Sequence, residues 1–254
     1  MQAMTLILTY ISSLGIIHAS DGNLTAADGS CAGEAAKVFP IRFLKAGLTI
    51  AGSYGVGGHS MRQWIDSFVR GQEQAGCRSL NAFSSALAGT LETQMTQPQK
   101  AEGSMVQVAG YVQDSVGWHP EFWFIRNVYR MDPKTGEYSD IRDTFQISED
   151  FWARDWTQKN LAPFFQQGGH QVYINGFTSG RISYIILESD MASFFEHVWS
   201  NRAWKFRRPA SLQEIALIVD LYIRTIGVLF SMSDYSAPFI GGTPQVYAIP
   251  RPQP

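Results

Sequence analysis

The sequence predicts an α+β domain in which a β-sheet is covered by helices. Four short apolar runs, broken by turn residues, occupy residues 6–53 and read as consecutive strands. Two segments with helical periodicity follow them, and strands then helices in that order suggest a sheet covered on one face. The length of 254 residues suits one large core, and no internal repeat divides the chain.

The first two strands are Leu6 to Ile11 and Ile16 to Ser20, separated by the polar and glycine break Ser12-Ser13-Leu14-Gly15. Asp28-Gly29-Ser30 marks a loop, and strands follow at Ala36 to Phe43 and Gly47 to Ser53. The glycine-rich turn Gly55 to Gly58 leads into a helix, because Met61, Trp64, Ile65, Phe68 and Val69 fall on one stripe. A second helix is predicted over Leu80 to Met95, ending before Pro98.

Val106 to Tyr111 and Phe122 to Tyr129 read as strands, and Asp132-Pro133-Lys134-Thr135-Gly136 as a turn. Phe151, Trp152, Trp156, Phe164 and Phe165 crowd the next segment, which reads as an aromatic-rich insertion around residues 113–172 packing on the domain. A ligand-stacking platform is the alternative reading of those rings. Gly180 to Trp199 and Leu212 to Phe230 are helical in pattern, and Gln245 to Ile249 is the last strand. One domain over 5–249 is expected, with 250–254 a frayed, proline-rich tail.

Composition narrows the function. Hydrophobic residues make up 45% and charged residues 17%, a globular balance. A formal net charge of −2 gives no electrostatic footprint for nucleic acid or acidic membranes. Lys205, Arg207 and Arg208 are too short a cluster to change that and read as a solvated flank. Cys31 and Cys77 form neither a disulfide framework nor a zinc spacing, and read as free thiols of a reducing, cytoplasmic compartment. No apolar run reaches the roughly 18–20 residues of a membrane span.

Met4 to Ser20 is apolar and ends in small residues, like a signal peptide, but no Lys or Arg precedes it. On secretion, Asn23-Leu24-Thr25 would be a glycosylation sequon. Two motif mimics fail. Gly52 to Gly58 lacks the spacing and Lys-Ser/Thr of a phosphate loop, and no Pro-Cys-x-x-Cys follows His119 and Glu121. His59 reads as a helix-start residue.

The spacing of three residues carries the chemistry. Taken singly, Thr5 reads as a strand start, Asp21 as a turn residue and Lys37 as an edge-strand lysine. Counted from Thr5, Asp21 lies sixteen residues on, in Ala19-Ser20-Asp21, and Lys37 thirty-two residues on, before Val38-Phe39-Pro40-Ile41. Further along come Gly47 to Gly52, then Ser179-Gly180 with Tyr184 and Leu187-Glu188-Ser189, then Gly241-Gly242 with Val246-Tyr247-Ala248-Ile249. This ordered set resembles the proteasome β-subunit type of N-terminal-nucleophile hydrolase, in a proteasome-like bacterial form. Both ends of the chain match, and roughly Gly103 to Tyr173 matches poorly.

The resemblance implies a four-layer αββα sandwich and hydrolysis of a peptide or other amide bond through an acyl-enzyme on Thr5. It implies no metal or organic cofactor and a homo-oligomeric ring, while the charge balance and the short apolar runs point to neither nucleic acid nor membrane as partner. By the same resemblance Asp21 and Lys37 complete the catalytic core, with Ser179, Asp234 and Ser236 in the proton-transfer network. Thr25, Ala51 and Gly52 fall at substrate-binding positions. Two departures stand out. Asn23 occupies the position where the family often has Arg. Ala237 and Ile240 stand where Asp and Ser precede the Gly-Gly, so Asp234 and Ser236 serve only if 237–240 is an insertion.

The residue types fit the chemistry. A threonine hydroxyl is a poor nucleophile without a base. An α-amine on the same residue titrates near 7.7–8.0 and can take its proton, which requires Thr5 to be the terminal residue. Met4 precedes Thr5 and is expected to be the translation start, removed to expose it. Lys37 would favour deprotonation, Asp21 would orient Lys37, and a backbone N–H near Ala51 or Gly52 would hold the oxyanion. The alternatives are a catalytically inactive structural subunit, hydrolysis of a small amide, and a secreted binding protein.

Overall fold

In a computed structural model, residues 5–25, 30–115, 117–131, 138–148, 170–176, 190–233 and 240–253 are described. The Asp132 to Gly136 turn, the Phe151 to Phe165 aromatics and the first part of the Gly180 to Trp199 helix lie outside them. The chain folds as a mixed α and β structure with antiparallel sheets.

The first sheet has strand order β12-β1-β2-β13: His170–Gly176, Leu6–Ser12, Gly15–Ser20 and Gln245–Pro250. The second has the order β11-β10-β9-β6-β5: Tyr138–Ser148, Gly117–Met131, Ser104–Asp114, Ala46–Gly52 and Val38–Ile41. Two short ribbons pair β3 (Asn23–Thr25) with β4 (Cys31–Glu34), and β7 (Gly55–Val56) with β8 (His59–Ser60). The helices are α1 (Met61–Gln74), α2 (Leu80–Gln94), α3 (Gln97–Ala101), α4 (Ala192–Ser200) and α5 (Leu212–Ser231).

Side-chain alternation along the strands divides the interior into three apolar groups. Ile7, Ile11, Ile16, Tyr173 and Ile249 of the first sheet pack against Ala109, Tyr111, Phe122 and Phe124 of the second. Leu6, Leu8, Ile17 and Ala19, on the opposite face of the first sheet, pack on Ile215, Val219, Ile223 and Ile226 of α5. Leu48, Ile50, Val106 and Val108, on the opposite face of the second, pack on Trp64, Ile65, Phe83 and Leu87 of α1 and α2. Serine caps start these helices. The side chains of Ser60, Ser79 and Ser211 accept hydrogen bonds from the N–H of Gln63, Ala82 and Glu214.

Several elements differ from their sequence expectation. The strand expected over Ala36 to Phe43 is only Val38–Ile41, because Arg42–Leu44 tightens into a 3-10 turn closed by Lys45 at φ 50°. β9 and β10 run longer than expected and join in one hairpin at Gly117, whose φ is 118°. β11 and β12 carry too many polar residues to have been read as strands. Yet β10, β11 and the first residues of β12, all inside 113–172, are hydrogen-bonded members of the two sheets. Among the described residues no helix is long and apolar enough to cross a membrane.

Between the sheets the apolar filling gives way to polar groups. His18 is fully buried there, with Nδ1 3.1 Å from Thr9 Oγ1 and Nε2 3.1 Å from the Ala109 carbonyl. A carbonyl only accepts, so Nε2 carries the proton. Nδ1 therefore accepts, and the Thr9 hydroxyl, with one proton, lies within reach of both Nδ1 and Gln107 Oε1, the latter at 2.7 Å; Gln107 Nε2 donates to Asn175 Oδ1. The ring fits because residue 47 is glycine, where a Cβ would lie 2.7 Å from His18 Cδ2.

Burial depresses the His18 pKa from 6.5 to about 4, only partly offset by the Ala109 hydrogen bond. The folded protein thus resists protonation that the unfolded chain accepts. Stability is full above pH 6.5 and is lost as the pH falls to about 4, by roughly 3 kcal/mol for this group. In urea titrations, the stability gap between the protein and His18→Gln should narrow by about that amount between pH 7.5 and 4. An unchanged gap would mean that His18 does not set the acid limb.

Candidate functional site

The first hairpin creates one half of the site. β1 and β2 pair with Ile11 opposite Ile16 and Ile7 opposite Ser20. The same register carries Asp21 to the level of Leu6, beside Thr5, so the sixteen-residue offset is the length of a tight hairpin. Asp21 Oδ1 accepts the Leu6 N–H at 2.9 Å, and the Asp21 N–H donates to the Leu6 carbonyl at 3.2 Å. Ser20 Oγ donates to the same carbonyl at 2.8 Å.

The second half arrives through the β3–β4 ribbon, which turns the chain back so that Lys37 enters just before β5. Lys37 Nζ donates to Asp21 Oδ1 at 2.9 Å, and both side chains are fully buried. Gln245 fixes the lysine's backbone, its Oε1 accepting from the Lys37 N–H at 2.8 Å and the Val38 N–H at 3.3 Å. The Lys37 carbonyl accepts from the Ile50 N–H of β6 at 3.0 Å.

Two charges in a dry site need full compensation. Asp21 receives it from the ammonium, from the Leu6 N–H, from the Asn23 N–H at 3.2 Å on Oδ2, and from the backbone of Gly241. Burial pushes the Asp21 carboxyl up, opposed first by the charge of Lys37. Burial likewise pushes the Lys37 ammonium down, opposed first by Asp21. The Gly241 carbonyl also accepts from the N–H groups of Gly22, at 2.8 Å, and Asn23, at 3.1 Å, tying the C-terminal glycine turn to the loop after Asp21.

Thr5 is fully buried, and its Oγ1 lies 2.7 Å from Tyr54 Oη. The Tyr54 ring centroid is 5.7 Å from Lys37 Nζ. Tyr54 reaches this point because β6 ends in a turn that only glycine fits: Gly52 has φ 114°, and a Cβ there would lie 2.0 Å from the Gly103 carbonyl. On the other side of Thr5, β12 ends at Gly176, where a Cβ would come within 1.9 Å of the Thr5 carbonyl.

The structure therefore brings Thr5, Asp21 and Lys37 into one group. Ala51 and Gly52 close β6 opposite Met105 and Ser104, two residues before Tyr54. Thr25 ends β3, paired with Cys31, and takes no part in the contacts that link Asp21 to Lys37 and to the Leu6 N–H. Ser179, Asp234 and Ser236 lie outside the described residues. Tyr54, Gln245 and Gly176 were not anticipated. No local pattern singles out Tyr54; for Gln245 the signal was a polar residue at the head of an apolar strand. No cluster of His, Cys, Asp and Glu among the described residues could hold a metal ion. Compared with known proteins, the chain matches no family model and no curated sequence.

The ion pair makes a testable claim about stability. Lys37→Met leaves Asp21 buried and unpaired, and should destabilise the protein by about 3–5 kcal/mol in urea unfolding. Adding Asp21→Asn removes the orphan charge while keeping an acceptor for the Leu6 N–H. The double variant should recover most of the loss. If it were no more stable than Lys37→Met alone, the two charges would not be coupled.

Proposed function

We propose that the protein is a threonine-type N-terminal-nucleophile hydrolase that cleaves a peptide or other amide bond through an acyl-enzyme on Thr5. One observation carries this reading. The Asp21 carboxylate simultaneously accepts the Lys37 ammonium and the backbone N–H of the residue after Thr5, at 2.9 Å each. A charged lysine is thereby fixed beside a threonine that heads its strand. The two facing sheets, with α5 outside one and α1 and α2 outside the other, are consistent with a four-layer αββα sandwich.

In this mechanism the freed α-amine of Thr5 takes the proton of Oγ1 as Oγ1 attacks the carbonyl carbon. The amine then gives that proton to the leaving nitrogen as the C–N bond breaks, and water releases the acyl group from Oγ1. Lys37 keeps its proton, and its charge favours the neutral amine and the developing alkoxide. A backbone N–H at Ala51 or Gly52 is the proposed donor to the oxyanion, since glycine permits close approach there. Ser179, Asp234 and Ser236 remain the proposed proton-transfer partners, and Thr25 a substrate-side residue. A cytoplasmic homo-oligomer belongs to the same proposal.

Mass spectrometry of the mature N-terminus is the direct test, and Thr5 should be the first residue. Thr5→Ala should abolish turnover of a responsive peptide or amide with little effect on stability. Lys37→Ala should cost at least about a hundredfold in rate. Protein translated from Met4 should be active. Protein with an uncleaved extension before Thr5 should be inactive, since an acylated nitrogen cannot act as the base. Equal activity of the extended form would overturn the terminal-amine mechanism.

A further inference from the structure

Tyr54 touches the oxygen proposed to react, while its ring faces the lysine proposed to assist. It lies outside the spacing pattern that identified Thr5, Asp21 and Lys37. Its Oη is 2.7 Å from Thr5 Oγ1, and Lys37 Nζ lies 5.7 Å from its ring centroid. The side chain is held from its own backbone, whose carbonyl accepts the Met61 N–H at 2.7 Å, anchoring the loop to the first residue of α1. The Gly52 turn before it has no room for a Cβ, so the loop enters along one path.

We propose that Tyr54 is a catalytic residue whose phenol donates a hydrogen bond to Thr5 Oγ1 as that oxygen gives up its proton. The inference rests on the hydrolase reading and names a group that the Thr–Asp–Lys core lacks. In the resting state either hydroxyl can donate across the 2.7 Å contact. Once the Oγ1 proton has moved to the α-amine, Oγ1 can only accept. Burial first, and the negative charge of Asp21 second, push the phenol well above its ordinary range, so Tyr54 retains its proton. The bond thus becomes a neutral donor on a charged acceptor, roughly twice as strong as the resting one.

The gain appears only as charge develops, so the contact stabilises the transition state more than the ground state. Tyr54 neither gains nor loses a proton in the cycle. Oγ1 bonds to the carbonyl carbon, the C–N bond breaks, and the amine carries the proton to the leaving nitrogen. When water later attacks the ester, Oγ1 leaves with developing negative charge, and the same O–H meets it again. The Lys37 charge near the ring face favours a fixed ring plane, aiming Oη at Thr5.

The experiment uses Tyr54→Phe, which keeps the ring beside Lys37 and removes only the hydroxyl. The probe is a small β-lactone, which opens on a hydroxyl nucleophile without a leaving group and adds its whole mass. Both proteins are translated from Met4, and labelling is followed by intact mass and located by peptide mapping across a pH series. The wild type should be labelled at Thr5. Tyr54→Phe should be labelled at the same residue roughly ten- to a hundredfold more slowly, with the pH midpoint, which reports the α-amine, unmoved. Its melting temperature should stay close to that of the wild type.

Labelling of Tyr54→Phe at the wild-type rate and midpoint would overturn the proposal while leaving Thr5 the nucleophile. A slower rate with a displaced midpoint would also overturn it, because the substitution would then act by disturbing the α-amine and not through Oγ1. Absence of any Thr5 label in the wild type would overturn both this proposal and the hydrolase reading beneath it.

Discussion

Two opposite charges, Asp21 and Lys37, are buried with no exposed surface at the point where both sheets end. Neither is tolerable there alone, since an isolated buried ion costs several kcal/mol after relaxation. The surrounding backbone is arranged to supply what the pair itself does not. The β1–β2 hairpin turns the Leu6 N–H onto the carboxylate, the loop after β2 adds the Asn23 N–H, and Gln245 pins the backbone of the lysine. These contacts join residues from both ends of the chain, so the full surroundings of the pair include β13 at the side of β2. The pair acts less as a source of stability than as a constraint on which chain arrangement is acceptable.

The layer between the sheets is graded along the strand direction. At one end it is oily, with Ile11, Ile16, Ile249 and Tyr111 together. In the middle lies the hydrogen-bonded run His18, Thr9, Gln107 and Asn175. At the other end come Thr5, Asp21, Lys37 and Tyr54. Alternation explains how one strand serves both neighbours: Leu6 and Leu8 face α5, while Ile7 and Thr9 face the second sheet. The polar run leads directly to the backbone at Thr5, because Asn175 precedes Gly176, whose missing Cβ lets the two strands close on the Thr5 carbonyl.

Much of this was legible in the sequence. Strand and helix patterns placed β1, β2, β6, α2 and α5 within a residue or two, and the start of α1, because each is a continuous apolar run or stripe bounded by turn or capping residues. The spacing of Asp21 from Thr5 was legible for a simple reason: a hairpin of fixed register converts sequence distance into contact. β11 and β12 were not legible, since His170, Gln171 and Asn175 in one, and Asp140, Arg142 and Asp143 in the other, dilute the apolar signal. Their strand character comes from pairing with β10 and β1, which is a tertiary fact.

Tyr54 marks the limit of pattern reading. Nothing in its local sequence says that a tyrosine two residues past a glycine should meet a threonine forty-nine positions earlier. That meeting requires Gly52 to adopt φ 114° against the Gly103 carbonyl, β6 to lie against β9, and the two sheets to face each other. Each requirement is a packing constraint set by residues remote from Thr5 in sequence. The hydroxyl pair is thus set by the whole stack of sheets, whereas Asp21 depends on one hairpin. A spacing rule finds residues positioned by local geometry and misses those positioned by the core, and both kinds border Thr5: Asp21 through the Leu6 N–H, Tyr54 through the threonine hydroxyl.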